Sequence, residues 1–488
     1  MSLERRTLLK GAAAALAAGP FAGFVAAPVA ARPAPRPMDL HPVKDLRDGR
    51  VRLHLPRGFN YRSFHDTEFP VTLHDGSRLP GRHDGMGAFA GPDDSVILVR
   101  NHEVAGSGTP MGAGPWYDSA AQGGTSTVRV TKQGEVLDSR VSLGGTMMNC
   151  SGGIMPWGAW VTCEETVNGP DVGPDFTGVP NTALTRPHGY VFEVPLEGEA
   201  TREPITRAGR FAHEAVSFDP EEGILYLTED NFGFPSGFYR YRPATDPMRT
   251  GRLDDEGTLE MLAVTGVPNA HLEAHQEQGV EYRVSWVAIA DPDPTFPPGT
   301  TNDQAINAVG DQGRALGAAL FSRCEGQVYD DGVVYFTATQ GGGAPEAYPA
   351  ASDQSGFGRG HGQVWAYDTR RQVLTCVYQS PEDTDPEQPL DFPDNVTTSP
   401  RGTLVVCEDS SGSNYLRGLT TEGRIFDIGL NRLVSQTRTN PDGSPATRYG
   451  DEFAGSTFSP DGHTLFVNIQ ASAGMTFAIW GPWRSIGV

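Results

Sequence analysis

The sequence predicts an all-β protein with the architecture of a β-propeller. Glycine and proline are abundant, with 60 and 39 of 488 residues, as expected for a chain rich in turns. Six stretches have the pattern of β-hairpins, in which two apolar, β-branched runs flank an acidic or glycine-containing turn. A further short strand follows each hairpin, so a unit of three or four strands recurs six times, which is typical of a six-bladed propeller.

The hairpins occur in order along the chain, with turns spaced by roughly 60 to 70 residues. They occupy residues 84–103, 149–165, 210–231, 323–339, 394–410 and 453–470, and the strands that follow them occupy 125–131, 188–194, 237–242, 362–368, 423–429 and 475–481. The interval between the third and fourth hairpins is longer and predicts an insertion at about 244–320. The alternative is a β-sandwich followed by a second domain. The even recurrence of the hairpins favours instead a single propeller domain that spans residues 45–488.

The first 31 residues predict a bacterial export signal of the twin-arginine kind. Arg5 and Arg6 precede an alanine-rich apolar stretch that ends in small residues. The stretch is weakly hydrophobic and is broken by Pro20 and Pro28, which argues against the alternative of a membrane anchor. We therefore expect passage through the twin-arginine export machinery, a periplasmic or extracellular location, and no membrane anchor after processing.

The net charge limits the classes of binding partner, and the cysteines limit the roles that a thiol can have. The formal net charge is −22, which argues against nucleic acid and anionic lipid. The five cysteines are odd in number and irregularly spaced, so they do not predict a disulfide framework. A thiol in an exported protein is then either a small core residue, as we expect for Cys150, Cys376 and Cys407, or a metal ligand.

Polar, mostly acidic residues stand at the outer ends of the hairpins. Residues equidistant from a hairpin turn face each other, so we expect Glu214 opposite Glu229 and Asp394 opposite Glu408. The first strand of each propeller blade lines the central channel, which predicts that these ends gather at one mouth. The expected group is Asp84, Glu103, Asn149, Cys163, Glu165, His213, Glu214, Glu229, Asp230, Arg323, Glu325, Asp394, Asn395, Glu408, Asp409 and Glu452.

So many carboxylates can share one cavity only if multivalent cations lie between them. Carboxylate oxygens at this density indicate Ca²⁺ or a similar ion, and a thiolate among them, which we expect from Cys163, indicates a transition metal. We expect His102 and His213 to form hydrogen bonds rather than to bind metal. Arg323 fits either a bidentate phosphate contact or an ion pair with a neighbouring glutamate.

Several motifs together resemble the PhoX family of bacterial alkaline phosphatases. They are "NHE" (101–103), "NCSGGIMPWGAWVTCEE" (149–165), "GRFAHEA" (209–215), "SRCEG" (322–326), "FPDN" (392–395) and "FSPDGHTLFVNIQ" (458–470). The resemblance runs from about residue 45 to 480. It implies a monomeric, six-bladed propeller, exported by the twin-arginine route, that hydrolyses small-molecule phosphate monoesters with Ca²⁺ and Fe³⁺ in the channel mouth.

The resemblance also implies roles for individual residues. Cys163 would be the iron-binding thiolate, Glu214 would be an iron ligand, and Glu325 would bind the same cluster. Arg323 would hold the substrate phosphate and act in catalysis together with Glu325, and Asn149 would be a further substrate contact. The calcium ligands would come from Glu103, Glu165, Glu229, Asp230, Asp394 and Glu408.

Two positions depart from the family's pattern. Cys324 stands where proline separates the arginine from the glutamate, and Ala471-Ser472 stand where His-Pro follows "NIQ". Three functions therefore stay open: the phosphomonoesterase, a calcium-dependent phosphodiesterase or lactonase on the same scaffold, and a non-catalytic, calcium-stabilised binding propeller. A buried arginine beside the metals favours the first over a lactonase.

Overall fold

The structure is a computed structural model that describes residues 39–349, 356–381, 390–420 and 423–488. The predicted export signal, residues 1–31, lies outside the described residues. Among the helices of the described ranges, none is long and apolar enough to span a membrane.

The described chain is almost entirely β-strand. The strands are β1 (His41–Lys44), β2 (Val51–Leu55), β3 (Asn60–Phe64), β4 (His83–Ala90), β5 (Val96–His102), β6 (Gly123–Val130), β7 (Val136–Thr146), β8 (Asn149–Met155), β9 (Ala159–Glu164), β10 (Val191–Pro195), β11 (His213–Asp219), β12 (Ile224–Glu229), β13 (Phe238–Pro243), β14 (Gly257–Val264), β15 (Glu281–Ala288), β16 (Cys324–Asp330), β17 (Val333–Ala338), β18 (Gln363–Asp368), β19 (Val373–Gln379), β20 (Pro393–Thr398), β21 (Leu404–Glu408), β22 (Tyr415–Leu419), β23 (Ile425–Asn431), β24 (Val434–Thr439), β25 (Pro445–Thr447), β26 (Glu452–Phe458), β27 (Thr464–Gln470) and β28 (Met475–Trp480). The α-helices are α1 (Pro247–Thr250), α2 (Asn302–Ala315) and α3 (Trp483–Ile486). Short 3-10 turns cover Pro92–Asp94 and Thr206–Ala208.

Six strands form a closed circle around the central channel. They are β4, β8, β11, β16, β20 and β26; each contacts the next, and β26 contacts β4. From each of them, two or three further strands of the same unit continue outwards by antiparallel pairing. The six inner strands are the first strands of the six hairpins predicted from the sequence, and the prediction of an all-β propeller is confirmed.

Strand pairing in the propeller extends beyond the six predicted units. β15 pairs with both β14 and β19, so the blades that begin with β11 and β16 form one nine-stranded sheet. The segment 244–320 contains β14, β15 and α2, and so supplies the strand that joins these two blades. β3 pairs with β28, which closes the last blade with a strand from the beginning of the described chain.

The hydrophobic core lies in layers around and between the blades. One layer packs Val161 of β9 against Val216 and Leu227 of the next blade, and all three side chains are buried. Each such aliphatic side chain contributes about 1.5–3 kcal/mol when it leaves water. The apolar layers hold the inner strands in a tight circle, which allows the polar side chains at their beginnings to come close together.

Every inner strand carries a β-bulge close to its beginning. The shifts in register lie between His83/Met86, Asn149/Gly152, His213/Val216, Cys324/Gln327, Pro393/Val396 and Ala454/Thr457. In each case two residues of the inner strand face one residue of its partner, which redirects a side chain. The first residues of the six bulges are Asp84, Cys150, Glu214, Glu325, Asp394 and Gly455. Five of the six bulges thus begin with a carboxylate or a thiol.

The second residue of a bulge sits against the neighbouring inner strand. A Cβ atom built on Gly326 would lie 2.6 Å from the Cα atom of Asn395, and one built on Gly85 would lie 2.5 Å from the Cα atom of Ser151. Backbone that approaches so closely leaves no room for a side chain at these two glycines. The close approach brings the first residues of neighbouring bulges within reach of one another.

Candidate metal centre

Three overlapping groups of ligand-type side chains lie at the channel mouth, and within each group the ligand atoms are within 4.8 Å of one another. The first group is Cys150, Glu165 and Glu214, the second is Glu214, Glu325 and Asp394, and the third is Asp394, Asp409 and Glu452. Glu214 and Asp394 each belong to two groups, so the three form one continuous row. Asp84 adjoins the first group, because its Oδ2 atom lies 3.6 Å from the Sγ atom of Cys150.

Glu214 is the most confined carboxylate of the row. Its side chain is fully buried, and neither carboxylate oxygen has a hydrogen-bond partner among the described residues. Burial, followed by the charges of Asp394 and Asp84, raises the pKa of Glu214 well above its ordinary value. A buried carboxylate with no partner is strongly unfavourable unless it is protonated or bound to a cation.

The pKa values of other carboxylates in the row are also raised by burial. Burial and the charge of Asp409 raise the pKa of Asp394 to about 8. Burial also raises the pKa values of Glu165, Glu325 and Glu452 well above the ordinary range. The donor set therefore fits a cluster of cations: carboxylate oxygens suit Ca²⁺, and one thiol beside them suits a transition metal.

The thiol in these groups is that of Cys150, which was expected to be a core residue, whereas Cys163, expected as the iron-binding thiolate, lies outside all three groups. Cys163 pairs with Val191 of β10 and packs in an apolar cluster with Val161 and Val216. In a regular hairpin with its turn near Trp157, Asn149 would face Cys163. The bulge in β8 shifts this pairing by one residue, so that Asn149 faces Glu164 and Cys163 points into the core.

Arg323 lies beside the second group with most of its donors already engaged. Its Nε and Nη2 atoms lie 2.7–3.2 Å from the carboxylate oxygens of Asp230, and Nη2 lies 2.8 Å from Glu325 Oε1. The Nη1 atom donates no hydrogen bond to any described residue. The side chain is 16% exposed, so two carboxylates fix a guanidinium whose remaining N–H groups can meet an oxyanion.

Comparison with known proteins identifies the family of this chain. The family model of alkaline phosphatase PhoX matches residues 38–142 and 135–473. The chain belongs to the alkaline phosphatase PhoX family. Membership of this family supports a phosphatase, as the motifs of the sequence implied.

One solved PhoX structure shares the fold of this chain, and two other solved proteins are more distantly similar. Pseudomonas fluorescens PhoX in complex with vanadate, a transition state analogue, has a TM-score of 0.63 and 17% identity, with 91% of this chain and 98% of that chain covered. A gluconolactonase from Xanthomonas campestris has a TM-score of 0.39 and 11% identity over 92% and 99% of the two chains. Virginiamycin B lyase from Staphylococcus aureus has a TM-score of 0.37 and 11% identity over 86% and 99%. No curated protein sequence matches this chain.

Four of the carboxylates expected as calcium ligands of this PhoX-family protein lie outside the three groups, and two of them, Glu229 and Glu408, are bonded within their own blades. Glu229 accepts hydrogen bonds from the backbone N–H of Gly237, at 2.9 Å, and from the hydroxyl of Tyr239, at 2.8 Å. Glu408 accepts one from the Nε atom of Arg417 at 2.8 Å. The bulges explain the difference, because they turn the inner-strand carboxylates towards the channel and leave these two inside their own blades, against the outer strands.

Asn149, expected as a substrate contact, is also buried within the propeller wall. The Thr146 hydroxyl donates to its Oδ1 atom at 2.7 Å, and its Nδ2 atom donates to the Thr162 hydroxyl at 3.0 Å. The side chain is fully buried. This arrangement holds the beginning of β8 in place and engages both ends of the Asn149 amide within the propeller wall.

Glu103 and Asp230 are neighbours of the row rather than members of it. Glu103 accepts a hydrogen bond from Arg82 Nη1 at 2.9 Å and another from the amide of Gln470. The carboxylate of Asp230 is occupied by Arg323, as described above. Arg82, half-exposed at the mouth, is not among the residues that the sequence predicts for the site, because it stands two residues before the predicted hairpin at 84–103.

A sequence signal for the correct ligands does exist. The six bulges read "HDG" (83–85), "NCS" (149–151), "HEA" (213–215), "CEG" (324–326), "PDN" (393–395) and "AGS" (454–456). In the first four, a carboxylate or thiol precedes a residue with a small side chain or none. This pattern, a carboxylate or thiol followed by a small residue, identifies Cys150, and not Cys163, as the equivalent of Glu214.

Proposed function

We propose that this protein is an exported, metal-dependent phosphatase that hydrolyses phosphate monoesters at the channel mouth. The PhoX family membership supports the phosphatase, and the row of carboxylates supports the dependence on metal. The observation that carries the proposal is Glu214, whose two buried oxygens have no hydrogen-bond partner among the described residues although four more potential ligands share its two groups.

The proposed cofactor consists of iron and calcium ions. The group of Cys150, Glu165 and Glu214 contains the thiol and suits Fe³⁺, while the two groups made of carboxylates alone suit Ca²⁺. When bound, such ions would neutralise the carboxylates, polarise the phosphoryl oxygens and activate an oxygen nucleophile. An acidic mouth would then attract a phosphate dianion instead of repelling it.

Arg323 is the residue of this chain that we propose to hold the substrate. Asp230 and Glu325 fix the guanidinium on one side, so its Nη1 donors are oriented before the substrate arrives. Such preorganised donors stabilise the charge that builds up on the phosphoryl oxygens without further rearrangement. Glu325 thus has two roles, as a member of the second group and as a partner that positions Arg323.

We also propose export through the twin-arginine pathway. Arg5, Arg6 and the alanine-rich stretch of residues 1–31 support it, and the PhoX family is one of exported proteins. This route carries folded proteins, which is compatible with insertion of the metal ions before export.

The test is an assay of the full chain, produced with its signal and purified without chelator. We expect hydrolysis of 4-nitrophenyl phosphate, little hydrolysis of bis(4-nitrophenyl) phosphate, and loss of activity after treatment with a chelator. Elemental analysis of the same sample should find calcium and iron. Faster hydrolysis of the diester would contradict a monoesterase, and activity that survives complete metal removal would contradict the proposed cofactor.

A further inference from the structure

We propose that Phe232 is a packing surface for the leaving group of the substrate, so that this protein prefers phosphate esters of aromatic alcohols over esters of small polar alcohols. The inference rests on the proposed phosphatase function and deepens it. It starts from an aromatic ring that is 45% exposed at the rim of the site.

The ring adjoins the residue proposed to bind phosphate. The Cζ atom of Arg323 lies 5.4 Å from the centroid of the Phe232 ring. Asp230, two residues before Phe232, holds the same guanidinium by two of its nitrogen atoms. Isolated exposed apolar side chains are common on protein surfaces and need no explanation. Phe232 differs from them because it stands next to Arg323, a partly exposed arginine at a cluster of potential metal ligands.

The loop that carries the ring is tied down at several points. The backbone N–H of Phe357 donates to the carbonyl of Phe232 at 2.8 Å, and Arg314 of α2 donates to the carbonyl of Pro235 at 2.9 Å. Within the loop, the N–H of Asn231 donates to the hydroxyl of Ser236 at 3.0 Å. The backbone that carries the ring is therefore fixed without substrate, which lowers the entropic cost of packing a ligand against the ring.

The direction of the leaving group follows from what surrounds Arg323. Glu325 and the carboxylates of the row fill its buried side, so the ester substituent of a bound phosphate must point towards solvent. Phe232 borders this path. A flat apolar leaving group gains an aromatic contact there, worth about three- to tenfold in binding. A glycerol group, which is small and polar, gains little.

The experiment compares two substrates and one inhibitor in the full, metal-loaded chain. Phe232→Ala should raise the KM for 4-nitrophenyl phosphate about three- to tenfold. The KM for glycerol phosphate and the inhibition constant of inorganic phosphate should stay unchanged. Phe232→Trp should keep the preference for the aryl ester. Phe176→Ala is the matched control, because Phe176 is 89% exposed on a different loop and should change neither KM.

The other outcomes separate the alternatives. An unchanged KM for 4-nitrophenyl phosphate in Phe232→Ala would overturn the inference. An equal rise of the KM for both esters, together with weaker inhibition by phosphate, would show that the ring acts only by supporting Arg323. This result would overturn the inference as well. If the wild-type protein hydrolysed neither ester, the proposed function would fail and this inference with it, whereas the preceding outcomes leave the phosphatase intact.

Discussion

At the scale of single residues, the site is defined by side chains whose position is unfavourable without a counter-charge. Glu214 is buried without a hydrogen-bond partner among the described residues, and Asp394 is shared by two groups of carboxylates. Arg323, in contrast, has its counter-charges supplied by Asp230 and Glu325. Substitutions at these residues and at matched controls separate a metal-binding role from a structural one.

The two cysteines provide the first prediction. Cys150→Ser should lose most of the iron and of the phosphatase activity, because a hydroxyl is a much poorer ligand for a transition metal than a thiolate. Cys163→Ser should keep the iron, since Cys163 packs in the apolar cluster of β9 to β12. Iron analysis and activity of both variants give the comparison. Loss of iron from Cys163→Ser but not from Cys150→Ser would reverse the assignment.

Arg323 provides the second prediction. Arg323→Ala should weaken inhibition by inorganic phosphate by about tenfold or more, because a charge-assisted hydrogen bond is lost. Arg370→Ala is a suitable control, since Arg370 also binds two carboxylates, Glu221 and Asp331, but on exposed turns. The inhibition constant of phosphate is the measurement. Unaltered inhibition in Arg323→Ala would remove this residue from the phosphate site.

At the scale of structural elements, the bulged inner strand is the unit that builds the site. Five of the six bulges turn a carboxylate or a thiol towards the channel, and at Gly85 and Gly326 the bulge brings its backbone against the next inner strand. The side chains of Glu214, Glu325 and Asp394 come together because three consecutive inner strands, β11, β16 and β20, carry bulges at the same level. The ligand geometry therefore depends on how closely neighbouring strands approach.

Gly326 tests this dependence and provides the third prediction. Gly326→Ala would place a methyl group 2.6 Å from the Cα atom of Asn395 and 2.9 Å from the carbonyl oxygen of Asp394, so backbone must move. We expect destabilisation of about 1–3 kcal/mol and a reduced metal content. Gly412→Ala, at an exposed glycine whose nearest neighbour would lie 3.7 Å away, should change neither. Thermal unfolding and elemental analysis of both variants measure these differences. A Gly326→Ala protein with unchanged stability and metal content would argue against close packing of the bulges.

At the scale of the whole molecule, six inner strands far apart along the chain converge on one mouth and concentrate negative charge there. The net charge of −22 is thus partly focused at a single buried place. Stability should depend on pH in opposite ways with and without bound cations, because the same carboxylates repel one another in one state and act as ligands in the other.

The pH dependence of the metal-free protein is the fourth prediction. Burial raises the pKa of Asp394 from 3.8 to about 8, so between these values the folded chain keeps a proton that the unfolded chain releases. Stability of the metal-free protein should therefore fall as the pH rises from about 5 to 8. The metal-loaded protein should instead lose stability towards acid, as protonation displaces the ions. Melting temperatures measured before and after chelation test this, and a metal-free protein that grows more stable towards pH ~8 would contradict it.

The sequence predicts the molecule well at the largest scale and less well at the smallest. The recurrence of hairpins predicts the propeller and the gathering of acidic residues at one mouth. It does not predict which residues of a hairpin face the channel, because counting from the turn assumes a regular ladder. A bulge of one residue exchanges Cys163 for Cys150 and turns Glu229 away from the channel. The small residues after the ligands, such as Gly326, were the available sign of these bulges.

The central claim is that the carboxylate row holds cations, and the metal content of Glu214→Gln tests it most directly. Glutamine keeps the shape of the side chain and removes the charge at the junction of two groups. The wild-type protein should contain calcium and iron, Glu214→Gln should lose most of both, and Glu229→Gln, whose carboxylate is bonded within its own blade, should keep them. Equal metal content in all three proteins, or none in the wild type, would contradict the account.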